Sequence, residues 1–141
     1  MRKALHSQND GVAIAAPQIG ESWRIFIVSG RVFDQNFLKT GQASEKQNTD
    51  DVIFINPKFI KLSKKKSYVA EGCLSVRWLY GKVNRSSNAT IEAYGQNGKK
   101  FTRGAGGILA QIFQHETDHL NGILFIDKAH DLENIPPTKE K

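Results

Sequence analysis

Apolar residues recur along the chain with two periods. In RIFIVS (24–29), VIFINPKFI (52–60), ATIEAY (89–94) and KKFT (99–102) they alternate or cluster in short β-rich runs bounded by turn residues, which predicts four strands. Asn97-Gly98 lies between the last two runs, and this pair is favoured where both turn residues need positive φ, so 89–102 is predicted to form a hairpin. From Ile108 the period changes. Ile108, Leu109, Ile112, Phe113, His115, Glu116, His119 and Leu120 recur at helical intervals, and Asn121-Gly122 supplies a C-terminal stop. Residues 33–50 are polar and without period, and read as an exposed insertion. Residues 130–141, polar with Pro136-Pro137 near the end, read as a flexible tail. The expected fold class is therefore α+β: one domain over 1–141, with mixed or antiparallel strands packed around a central helix.

That helix carries QHETDHLNG (114–122). Residues four apart on a helix stand one above the other, so His115 and His119 point at one spot while Glu116 leans aside. Chance gives an HExxH pattern in a chain of this composition with a probability of roughly half a percent. The spacing is that of a two-histidine metal site. A catalytic site usually takes a third protein ligand and keeps one position open for water. The candidates are Cys73, His6, His130 and the carboxylates. Cys73 stands out because it sits in EGCLS, where Gly72 allows close backbone approach, although a lone cysteine is more often a small buried hydrophobe. A further signal is GVAIAAPQIG (11–20), small residues that admit another backbone, ending near Gln18, whose amide can donate to a carbonyl.

Composition narrows the setting. At 141 residues, with 39% hydrophobic and 24% charged residues, the chain matches a globular protein, and no apolar run approaches membrane-spanning length. The expectation is no membrane partner. One cysteine and no signal-peptide pattern at the start point to a reducing compartment, most simply a bacterial cytoplasm, with an organelle matrix or plastid as the other settings. The net charge of +6 and the run Lys64, Lys65, Lys66 come without a nucleic-acid motif, and read as a basic surface with no specific nucleic-acid partner.

Taken in order, GVAIAAPQ, EGCLS and QHETDH resemble the three motifs of the peptide deformylases, and the likeness runs on through the hairpin to GILFID (122–127). The resemblance implies one divalent metal held by Cys73, His115 and His119, usually Fe²⁺, with Zn²⁺, Ni²⁺ or Co²⁺ able to substitute. It implies removal of the formyl group from N-formylmethionine on nascent polypeptides, with any ribosome contact transient. Glu116 would act as general base and then general acid, while Gln18 and the Leu74 backbone N–H would stabilise the developing oxyanion. Val12, Ala13 and Ile14 would pair by their backbone with an extended peptide, beside Gly72. Ile108, Gln111 and Ile112 would wall a pocket for the methionine side chain. Glu71 would pair with Arg85 and brace the metal loop.

The chain departs from the family pattern at Ala13, where glycine is usual, at Arg77, where proline is common, and at Gln111, which makes the pocket wall more polar. It also starts only ten residues ahead of Gly11, so the usual N-terminal segment is expected to be lacking. Two other readings follow: a non-catalytic deformylase-like peptide binder, motivated by Ala13, and an HExxH zinc peptidase, which would leave Cys73 and Gln18 without roles.

Overall fold

The computed structural model describes residues 1–6, 12–33, 50–73 and 76–135. The expected insertion lies almost wholly outside them. In chain order the elements are α1 (Arg2–His6), β1 (Ala13–Ala15), β2 (Ile25–Val28), β3 (Val52–Leu62), β4 (Lys66–Cys73), β5 (Val76–Ser86), β6 (Asn88–Tyr94), β7 (Lys100–Gly106), α2 (Gly107–Leu120) and β8 (His130–Asn134), with 3₁₀ turns at 16–19, 30–33 and 125–127. One sheet has the order β1-β2-β3-β6-β7 and a second has β4-β5-β8. Every strand pair among the described residues is antiparallel.

The expected strands over 24–29, 52–60, 89–94 and 99–102 form as β2, β3, β6 and β7. β3 passes Pro57, which cannot donate to a ladder, by bulging. Asn56 takes φ 50°, and the register shifts between Ile55 and Lys58. The β6–β7 hairpin forms, but its turn differs from expectation. Gly95 N–H donates to Lys99 O (2.9 Å), Gly98 N–H donates to Gly95 O (2.9 Å), and of Asn97 and Gly98 only the glycine has positive φ, at 79°. Asn97 Oδ1 instead accepts the Lys99 N–H at 3.0 Å. The loop is thus one residue longer than a two-residue turn, with glycine in the left-handed position.

β8 corrects the expectation for the tail. Residues 130–134 pair with β5 through Leu79↔Asn134, Tyr80↔Glu133 and Lys82↔His130, while 136–141 lie outside the described residues. All five side chains of β8 are exposed, so the strand is held by main-chain pairing and leaves no apolar alternation to read.

The predicted helix is α2, ending at Asn121, with Gly122 N–H donating to His119 O. β7 runs straight into it through Gly106 and Gly107, and Gly107 takes φ 56°, where a side chain would be strained. The helix buries Ala110, Ile112, Phe113, Gln114, His115, Glu116, Thr117 and His119, more than one stripe. Its apolar part meets the five-stranded sheet. Phe26 and Phe54 stack at 4.6 Å between centroids, and Phe113 meets Phe54 edge-on at 5.1 Å. Gln114 ties the same helix to β5: its amide accepts the Ser86 N–H and donates to Ser86 O, both at 2.9 Å. The polar face of α2 is thereby set against β4 and β5.

Candidate metal centre

Cys73, at the end of β4, meets the two helix histidines. Sγ lies 3.2 Å from His119 Nε2, which is 3.1 Å from His115 Nε2, and the three candidate ligand atoms fall within 4.8 Å of one another. No other such group of histidine, cysteine and carboxylate donors forms among the described residues. His130 instead packs its ring against Tyr68, 5.8 Å away.

The far nitrogen of His115 is fixed. Nδ1 lies 2.6 Å from Glu71 Oε1, an orientation that leaves Nε2 free to serve as a ligand. Glu71 is in turn gripped by Arg85, whose Nε donates to Oε2 (2.9 Å) and whose Nη2 donates to Oε1 (2.6 Å), as expected for this pair. Burial alone would raise the Glu71 carboxyl, but Arg85 and His115 outweigh it and hold it down at about 2. Burial would likewise lower His115, yet hydrogen bonds to Cys73 and Glu71 and nearby negative charge push it up to about 10. The negative charge gathered around His115 therefore favours a cation at this spot, which a bound metal supplies in place of a proton. With two imidazoles and one sulfur converging, the donor set fits a divalent transition metal.

Arg85 reaches further than expected. Its Nη1 donates to Asp118 Oδ2 (2.7 Å), and Lys128 Nζ lies 3.2 Å from the same oxygen. Asp118 thus closes a charge chain from the helix back to the metal loop.

Glu116 is buried, and its Oε2 has no hydrogen-bond partner among the described residues. Burial pushes its carboxyl up to about 7 against the pull of both histidines. Gln18 is oriented by Ala15, whose N–H donates to Oε1 (2.7 Å), so Nε2 faces the centre, 3.5 Å from Cys73 Sγ.

These groups open into a cavity of about 290 Å³. Val12, Ala13, Gln18, Glu71, Gly72, Cys73, Ile108, Gln111, Ile112, His115 and Glu116 all line it. Ile14 does not. It points to the other face of β1, buried against Leu5 and Ile27, as strand alternation requires, and its backbone is committed to β2: Ser29 N–H donates to Val12 O at 2.7 Å, a phase that pairs Val12 and Ile14 with β2 and, of residues 12–14, turns only the Ala13 backbone to the outer edge. Leu74 lies outside the described residues. Ala70, Leu79 and Tyr80 also line the cavity and went unnoticed in the sequence. The signal was the β4–β5 pairing, which sets Tyr80 opposite Gly72. A Cβ on Gly72 would sit 2.7 Å from two Tyr80 ring atoms, so any other residue there would force the ring or the strand to shift.

Comparison with known proteins agrees with this geometry. The family model for polypeptide deformylase matches residues 1–134. A peptide deformylase of Halothermothrix orenii is 43% identical over 122 residues, 86% of this chain and 69% of the relative. One of Agrobacterium fabrum is 39% identical, over 83% of this chain and 62% of its own length. The chain thus spans roughly two thirds of these relatives' length. The solved structure of a probable peptide deformylase from a Synechococcus phage superposes with a TM-score of 0.77 at 32% identity, over 91% of this chain and 78% of that one. A peptide deformylase of Synechococcus elongatus, solved in complex with actinonin, gives 0.73 at 31% identity, over 86% and 60%. With the three motifs meeting around one cavity, this chain belongs to the polypeptide deformylase family, metal-dependent hydrolases that take the N-formyl group off nascent peptides.

Proposed function

We propose that this chain deformylates N-formylmethionyl peptides using one divalent metal held by Cys73 Sγ, His115 Nε2 and His119 Nε2. The observation that carries the reading is the meeting of these three donor atoms, within 4.8 Å, at a cavity that also presents Glu116 and Gln18. Fe²⁺ is the metal that the family resemblance favours, and Zn²⁺, Ni²⁺ and Co²⁺ suit the same ligands. When bound, such a cation polarises a carbonyl and lowers the pKa of water.

The chain's own residues account for the rest. Glu116 takes a proton from the attacking water and delivers it to the departing amine, a role suited to a buried carboxylate with one uncommitted oxygen. Gln18 donates an N–H to the formyl oxygen as charge develops there, its amide already turned by Ala15, and the Leu74 N–H serves as the second donor. Glu71 and Arg85 hold His115 as a ligand. Ile108 and Ile112 give the methionine side chain an apolar wall. Ala13 opens β1, a terminal strand, and with Val12 O bonded to the Ser29 N–H (2.7 Å) it is Ala13 whose backbone faces the outer edge, where a peptide strand can add.

The test is turnover of a formyl-Met peptide by anaerobically prepared protein of measured metal content. Release of formate in proportion to bound metal is the expected result. Peptide-bond cleavage without formate would show a peptidase, and peptide binding without turnover by metal-loaded protein would show a non-catalytic binder.

A further inference from the structure

Gln111 caps part of the edge along which a peptide would lie. Ser87 N–H donates to Lys65 O at 2.9 Å, which sets the phase of the β4–β5 ladder. With the register Lys66↔Ser86 through Gly72↔Tyr80, residues 67, 69 and 71 bond to β5, while Ala70 and Gly72 turn their N–H and C=O groups to the opposite edge. β4 is terminal in its sheet, so among the described residues that edge has no neighbouring strand. Its residues line the cavity together with Val12 and with Ala13 of β1, a strand terminal in the other sheet.

Gln111 reaches across from α2. Its Nε2 donates to Ala70 O at 2.8 Å and lies 3.3 Å from Glu71 Oε2. Both are acceptors, which fixes the orientation of the amide and commits both of its N–H groups. The Gln111 amide therefore occupies the edge at the outward carbonyl of Ala70, where an added strand's N–H would have to approach, and leaves that of Gly72 alone. A peptide whose first residue sits at the centre beside Cys73 must run outward from Gly72 toward Ala70. Whichever of its residues pairs with Gly72, the residue two further on meets the capped carbonyl.

We propose that Gln111 sets the length of peptide that main-chain pairing can read: an added strand bonds at Gly72 and stops short of Ala70. This rests on the deformylase reading. It makes the enzyme indifferent to sequence and length beyond the first few residues, as suits a substrate class of many different nascent chains.

The experiment is a length series of formyl-methionyl peptides, from dipeptide to hexapeptide, with kcat and KM measured on parent and Gln111→Ala protein. In the parent, kcat/KM should rise to the Gly72 contact and then stay level. The variant should show a further step two residues later, about threefold to tenfold and mainly in KM, the worth of one neutral hydrogen bond. A wider pocket would shift all lengths equally, so the added step isolates the cap. Gln111→Asn, one methylene shorter and still polar, should show the same step and serves if the alanine variant is unstable. Variant and parent profiles of identical shape would overturn the proposal, as would a parent profile that already steps up at the Ala70 position. Binding of the deformylated peptides, by calorimetry on the same proteins, separates the two readings. The added step in affinity without formate release would keep the cap and sink the deformylase assignment. Binding with no step, or no binding at all, would sink the cap.

Discussion

Among the described residues, Glu116 Oε2 and Thr117 Oγ1 are the buried side-chain oxygens without a hydrogen-bond partner, and Glu116 belongs to the cavity. A buried carboxylate oxygen left open is costly unless something completes it. Glu116→Gln keeps the shape and loses the proton acceptor. Metal content measured after dialysis should be unchanged, while kcat falls by about 10² to 10⁴. A variant keeping more than about a tenth of the parent kcat would remove Glu116 from the mechanism. Arg85 poses the opposite case, a cation enclosed by Glu71 and Asp118 with its side chain 4% exposed. Arg85→Ala would leave Glu71 in the interior with only His115 and Gln111 as partners, and denaturant melts should show a loss of about 3 kcal/mol, the low end for a broken buried pair. The spacing of His115, Glu116 and His119 was legible because a helix converts sequence distance into direction. Asp118 was not legible as the second partner of Arg85, since that contact joins a helix to a strand 33 residues away.

At the scale of elements, α2 and the β6–β7 hairpin could be read from the sequence because each carries a strong local signal, a 3.6-residue apolar period in one and Asn97-Gly98 in the other. β4 and β5 could not. β4 is mostly exposed, with Glu71 its one fully buried side chain, so it shows no apolar alternation. β1, at three residues, is too short to display a period. Yet β4 and β5 position the site, and Gly72 is where they press closest. Gly72→Ala would push its methyl into the Tyr80 ring, forcing the ring or the metal loop to move. The expected outcome is a protein that folds, with a melting temperature lowered by a few degrees, roughly 1 to 3 kcal/mol of overpacking, and with weaker metal retention in a chelator competition. Unchanged metal affinity would mean that the ring alone gives way.

The whole molecule places its chemistry where two sheets present terminal strands to one cavity, with α2 between them. The three motifs lie far apart in sequence, and their chemistry could be listed without knowing this arrangement. The cavity walls from Leu79 and Tyr80, and the capped carbonyl of Ala70, depend on strand register, a long-range property that no local pattern encodes. Ile14 shows the same limit at its smallest, since one step along a strand reverses the face.

Cys73 and His119 are 46 positions apart in the chain and 3.2 Å apart in space. An ion bonded to both is a removable cross-link, closing a loop of that length in any state that keeps it. For a covalent bridge, a loop of this size would restrict the unfolded chain by about 4 kcal/mol. Here the tie holds only while the metal stays. Stripping the ion with a chelator should lower the midpoint of thermal unfolding by on the order of 10 °C, and returning it in excess should restore that midpoint. Scanning calorimetry on the stripped and reloaded samples would show whether the catalytic ion is also the clasp of the fold.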